Sequence, residues 1–193
     1  MSEWQRMQDQ LAGVTAWRHA VELRAAAELA HQGSREGRLE ASRRLQALRR
    51  ADAMVAAWTD RAAQGTGRRA VVAHRQDWVR EKLSLSLSDH DIDVLTAVED
   101  GAEALGVTIA AQPELVILES RLPSLLAVDL VRDIRTFAPG TLIAAQVESD
   151  QEVASLVDAG ARALFGRQVR PTQLAEQVAD YLRTQPDKVL LVT

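Results

Sequence analysis

Few side chains in this sequence are of a type and spacing suited to covalent chemistry. It contains no cysteine, which removes thiolate nucleophiles, thiolate zinc sites and disulfides. Four histidines, His19, His31, His74 and His90, show no metal-ligand spacing, so no metal or cofactor is expected. Ser84, Ser86 and Ser88 have no partnered base, which leaves a hydrolase, and an enzyme generally, unsupported. Asp89, Asp91 and Asp93 alternate, but no glycine and distal glutamate complete a calcium loop. Gly65-Thr66-Gly67-Arg68-Arg69 lacks the lysine of a phosphate loop and precedes a strand rather than a helix. One carboxylate remains: Glu119, at the end of the apolar run Leu115-Val116-Ile117-Leu118, with Pro113 and Pro123 closing the stretch.

That run is too brief for a helix and fits a strand buried on both faces of a parallel sheet. In such sheets sites form outside the carboxyl ends of the strands, which places Glu119 at the mouth of any pocket. The surrounding sequence alternates strand and helix from about residue 69 to 184, implying helices on both faces of a parallel sheet. Strands are expected at Ala70–Ala73, Asp91–Ala97, Leu115–Leu118, Thr141–Gln146 and Ala163–Phe165. Helices are expected at Asp77–Leu87, Gly101–Ala111, Leu126–Phe137, Gln151–Asp158 and from Pro171 to about Leu182. In the first, Trp78, Val79, Leu83 and Leu87 are available for burial. The apolar end, 185–193, reads as a tail that adds an edge strand or docks on a partner.

Residues 1–67 are different. Trp4, Met7, Leu11, Val14 and Val21 recur at helical spacing, His31-Gln32-Gly33-Ser34 reads as a stop and fresh N-cap, and Leu45, Leu48 and Val55 mark a second helical stripe. Gly65-Thr66-Gly67 ends it as a short joint. The result is a helical hairpin. Two such hairpins side by side would make a four-helix bundle, so these stripes are the expected dimerisation surface, with packing onto the second domain as the competing use. Residues 1–69 hold twelve Arg and eight acids, net +4, whereas 70–193 hold eleven basic and nineteen acidic residues, net −8. Arg43, Arg44, Arg49 and Arg50 on the second helix are possible nucleic-acid contacts, but Glu36, Glu40 and Asp52 dilute them and a solvated face is the favoured reading. His19 invites a phosphotransfer reading on a loose motif lacking the usual acidic residue after the histidine. No secretory signal or membrane-length apolar run is present, and a cytoplasmic protein is expected.

Pro113-Glu114-Leu115-Val116-Ile117-Leu118-Glu119-Ser120-Arg121-Leu122-Pro123 resembles the central strand of a response-regulator receiver (CheY-like) domain, usually P-D-L-V-[LI]-[LM]-D-x-x-[LM]-P. Asp100-Gly101-Ala102-Glu103-Ala104-Leu105 resembles the family's D-G-x-E-A-L, and Asp158-Ala159-Gly160-Ala161 its A-G-A before strand five. The resemblance covers about residues 69–184. It implies a five-stranded, parallel, doubly wound (flavodoxin-like) sheet preceded by the helical hairpin, and a role in bacterial two-component signalling. Carried over residue by residue, the family's Mg²⁺-binding acidic pair becomes His74-Arg75, the phosphoacceptor aspartate becomes Glu119, the hydroxyl position becomes Gln146, and the lysine-proline becomes Arg167-Gln168. The aromatic switch position becomes Leu164. These departures describe a degenerate phosphoacceptor pocket in which Glu119 pairs with Arg167 or Arg75 in place of metal and phosphate.

The reading that follows is an atypical response regulator: a pseudo-receiver acting as a phosphorylation-independent protein-interaction module and dimerised by its hairpin. Its partner surface is expected around helix four, strand five and helix five, from Gln151 to Leu182. A nucleic-acid-binding regulator using the Arg-rich helix is the alternative.

Overall fold

The computed structural model describes residues 68–184 and 189–192. The hairpin expected over 1–67, with its dimerisation stripes, His19 and the Arg-rich helix, lies outside the described residues. Among those described, strands and helices alternate strictly: β1 (Arg68–Ala73), α1 (Asp77–Ser88), β2 (Ile92–Val98), α2 (Gly101–Ala111), β3 (Leu115–Glu119), α3 (Ala127–Phe137), β4 (Leu142–Val147), α4 (Asp150–Ala159), β5 (Ala163–Gly166), α5 (Pro171–Thr184) and β6 (Leu190–Val192). All strand pairs are parallel, in the order β2-β1-β3-β4-β5-β6.

The helices follow from spacing and end signals. Val79, Leu83 and Leu87 of α1 fall four apart and are buried. Asp100 caps α2, accepting from the backbone N–H of Ala102 and Glu103 at 2.8 and 3.1 Å. Pro171 opens α5, where its missing N–H costs nothing. Gly160 ends α4 with φ +121°, and a Cβ there would lie 2.5 Å from Arg135 Cγ, which accounts for a glycine between α4 and β5. Every residue of β3 is buried, as its unbroken apolar run requires.

Two cores result. Val72, Ile117 and Phe165 on one face of the sheet meet α1 and α5 through Leu83, Leu87, Leu174 and Val178. Val71, Val116 and Leu118 on the other face meet α2, α3 and α4 through Leu105, Leu130, Ile134 and Leu156. No helix among the described residues is long and apolar enough to cross a membrane.

Two expectations are corrected. The sheet has six strands, not five: β6 pairs with β5 in the register Ala163↔Leu190, Leu164↔Leu191 and Phe165↔Val192, so this part of the 185–193 tail belongs to the domain and β5 is not an edge. Leu190 N–H donates to Arg162 O at 2.8 Å to start the pairing. Trp78 is not buried; it is 58% exposed, because α1 turns it away from the core that Val79 enters.

Candidate functional site

β1 and β3 are neighbours in the sheet, yet the chain leaves β1 towards β2 on the other side. Loops diverge at such a reversal and open a crevice beyond the strand ends. β1 delivers His74 and Arg75 there, β3 delivers Glu119, β4 delivers Gln146, and the residue after β5 is Arg167. All five line one depression of about 270 Å³, together with Gln76, Trp78 and Glu148 among others.

Glu119 is only 8% exposed. Its carboxylate is held almost entirely by one residue. Arg75 donates from its backbone N–H to Oε2 at 2.9 Å, from Nε to Oε1 at 3.1 Å and from Nη2 to Oε1 at 2.6 Å. Burial by itself would push this carboxyl up, but the Arg75 side-chain and backbone hydrogen bonds outweigh it and hold Glu119 below the usual carboxylate value. The same contact raises the already high pKa of Arg75. Of the two arginines expected near Glu119, Arg75 makes the pair. Arg167 is exposed and forms no ion pair with Glu119.

His74 is buried beneath them, 6% exposed. Gln76 N–H donates to its Nδ1 at 3.0 Å, so Nδ1 is an acceptor and the proton sits on Nε2, which donates to Gln146 Oε1 at 3.2 Å. Gln146 Nε2 in turn faces the carbonyls of Arg167 and Val169, each at 3.4 Å. Burial lowers the His74 pKa, against the pull of Glu119 3.7 Å away, and keeps the ring neutral. Gln146 thereby ties the end of β4 to both β1 and the β5–α5 turn.

Three further residues extend the charge pattern. Arg75 Nη2 also lies 3.7 Å from Glu148, Arg121 Nη1 lies 3.0 Å from the other Glu148 oxygen, and Arg121 Nε lies 3.7 Å from Glu152. Glu152 also accepts from the Glu148 backbone N–H at 3.0 Å. Glu119, Arg75, Glu148, Arg121 and Glu152 form an alternating chain that joins the loops after β1, β3 and β4. Sequence reasoning missed Arg121, Glu148 and Glu152. The available signal was position: Arg121 follows Glu119 by two residues, and Glu148 follows Gln146 by two. Among the described residues no group of three or more His, Asp or Glu is gathered as a metal site.

No family model matches the chain. Two curated proteins share a segment with it. Protein-glutamate methylesterase/protein-glutamine glutaminase of Haloarcula marismortui is 29% identical over 85 residues, covering 44% of this chain and 23% of that protein. The DNA-binding transcriptional activator DevR/DosR of Mycobacterium tuberculosis is 30% identical over 95 residues, covering 48% of this chain and 44% of that protein. The chain thus matches less than half the length of either relative. Among solved structures, a CheY-like response regulator receiver domain protein from Methanospirillum hungatei superposes with TM-score 0.57 at 18% identity, covering 62% of this chain and 97% of that one. Chemotaxis response regulator CheY4 of Vibrio cholerae gives 0.55 at 18%, covering 60% and 98%. A LuxR-family DNA-binding response regulator from Staphylococcus aureus gives 0.55 at 16%, covering 60% and 98%. The described residues have the response-regulator receiver fold.

Proposed function

We propose that this chain is an atypical response regulator whose receiver works without phosphorylation, as a protein-interaction module in a signalling or regulatory assembly. One observation carries the reading: the carboxylate where a phosphoacceptor would stand, Glu119, has both oxygens engaged by Arg75. A nucleophilic carboxylate needs a free oxygen directed at the incoming phosphorus. The residues also do not fit the divalent cation that receiver phosphorylation uses. Mg²⁺ requires oxygen ligands in octahedral array. His74 uses its Nδ1 lone pair on Gln76, and the Arg75 guanidinium would repel a cation at that position. The Arg75–Glu119 pair stands where cation and phosphoryl group would bring opposite charge together.

The partner face follows from the sheet edge. Since β6 covers β5, the surface expected at helix four, strand five and helix five becomes α4, β6 and α5. A groove of about 330 Å³ lies along it, lined in part by Val147, Val153, Leu164, Leu191 and Val192. Leu191 is 57% exposed beside it, the apolar anchor such a face needs. Residues 1–67 supply the dimer through Trp4, Met7, Leu11, Val14, Val21, Leu45, Leu48 and Val55.

The test is to incubate the full chain with acetyl phosphate and Mg²⁺ and follow intact mass. No phosphate adduct is expected. An adduct that Glu119→Gln abolishes would sink the reading.

A second reading has one observation in its favour, the segment shared with DevR/DosR, whose name describes a DNA-binding transcriptional activator. On that reading Arg43, Arg44, Arg49 and Arg50 contact nucleic acid.

A further inference from the structure

Helix α2 is buried on sides that the described elements do not reach. In a layered α/β fold a helix lays one face on the sheet and turns the opposite face outward. Leu105, Val107 and Ile109 enter the core beneath α2, and α3 packs alongside. At 100° per residue, Ala102, Gly106 and Ala110 share one stripe on the other side, with Glu103 next to it. Yet Ala102 is 2% exposed and Glu103 is 6% exposed, and Gly106 is buried too. Ala102 belongs to neither apolar core. The helix has no polar face either: apart from Glu103 and Thr108 it consists of Gly, Ala, Leu, Val and Ile. A helix apolar all round is one that is covered all round.

The entry point of the chain indicates what covers it. Arg69, at the start of β1, is tied to the C-terminal end of α2: its Nη2 donates to Gln112 O at 3.2 Å. Its backbone N–H donates to the Glu114 carboxylate at 2.8 Å. The 67 residues before β1 therefore arrive beside this helix. Gly65-Thr66-Gly67 spans at most about 10 Å when extended, short enough to hold a helix ending near Ala62 against α2, itself about 16 Å long. Charge agrees, because residues 1–69 carry net +4 and Glu99, Asp100 and Glu103 gather at the other end of α2. Residues 185–188 are too few, and they follow α5 in the opposite layer.

We propose that residues 34–62 dock in cis along the Ala102–Gly106–Ala110 stripe of α2. Side chains this small let two helix axes approach closely. The arrangement leaves Trp4, Met7, Leu11, Val14 and Val21 for a partner chain. It does not depend on whether the receiver is phosphorylated.

The absence of cysteine makes the test direct. In the full chain, maleimide labelling of Ala102→Cys is compared with Ala154→Cys on the exposed side of α4. Ala102→Cys is expected to react at least about tenfold more slowly at every protein concentration, since labelling then requires local opening. Adding Leu45→Asp and Leu48→Asp should bring its rate to that of the reference. Equal rates in the parent would overturn the proposal. So would protection that fades on dilution, which assigns the cover to a second copy, or protection that survives the two arm substitutions. Ala110→Cys, partly exposed, repeats the measurement should Ala102→Cys fail to fold.

Discussion

Glu119 and His74 are both buried ionisable groups, and the site solves the two problems differently. Glu119 keeps its charge because Arg75 donates three hydrogen bonds to it. His74 gives up its charge and is held neutral between Gln76 and Gln146. Arg75→Ala leaves the carboxylate buried with only the backbone bond. Because the guanidinium is half-exposed, the expected loss is about 1–3 kcal/mol rather than that of a fully buried pair, read from urea unfolding. Both groups also set a pH dependence of one sign. Each has a folded pKa below its ordinary value, so the folded state binds fewer protons than the unfolded chain in the window between the two. The stability they contribute is present above the unfolded values and is lost as pH falls, first below about 6.5 for His74 and then below about 4.3 for Glu119. A urea series at falling pH should show this decline, and His74→Gln should remove its first part only. An unchanged decline above the Glu119 window in His74→Gln would refute the assignment.

At the scale of elements, β6 changes what the domain presents. It covers the edge of β5, and it supplies Leu191 and Val192 to the groove beside α4. Its hold begins with the Leu190 N–H donated to Arg162 O. Leu190→Pro deletes that donor and should cost about 1–2 kcal/mol and speed amide exchange in β5, with exchange in β3 little changed. If β5 exchange does not move, β6 is not part of the folded sheet. The expected elements agree with the observed ones to within a residue or two at most ends: Gly101–Ala111 matches at both, and Leu126 is one residue early. Periodicity reports which face of an element is buried, and that is a local property. Trp78 was misplaced because it sits next to Val79, and pattern alone does not tell which of two adjacent apolar residues at a helix start turns inward.

For the whole molecule, the uneven charge and the apolar hairpin stripes make opposed claims on the N-terminal segment. An apolar bundle predicts that light scattering gives twice the 21.2 kDa chain mass, at low and high salt alike, since apolar contacts are not screened. A monomer at both would remove the hairpin as dimeriser. Tight duplex-DNA binding that weakens steeply with salt, and disappears when Arg43, Arg44, Arg49 and Arg50 are replaced, would promote the nucleic-acid reading over the interaction module.

The sequence by itself determined the order of strands and helices, the parallel sheet and the placing of Glu119 at a strand end. Each depends on short-range patterns: an unbroken apolar run, a helical spacing, an N-capping aspartate, a proline opening a helix. Only the tertiary structure decided that Arg75 rather than Arg167 reaches Glu119, because Arg75 brings backbone and side chain to the carboxylate from the adjacent strand end, while Arg167 projects outward. It also decided that Leu190–Val192 extends the sheet, and that Arg121, Glu148 and Glu152 continue the charge chain. Those outcomes depend on how far apart separate loops stand once the strands are aligned, a distance that no local pattern in one chain encodes.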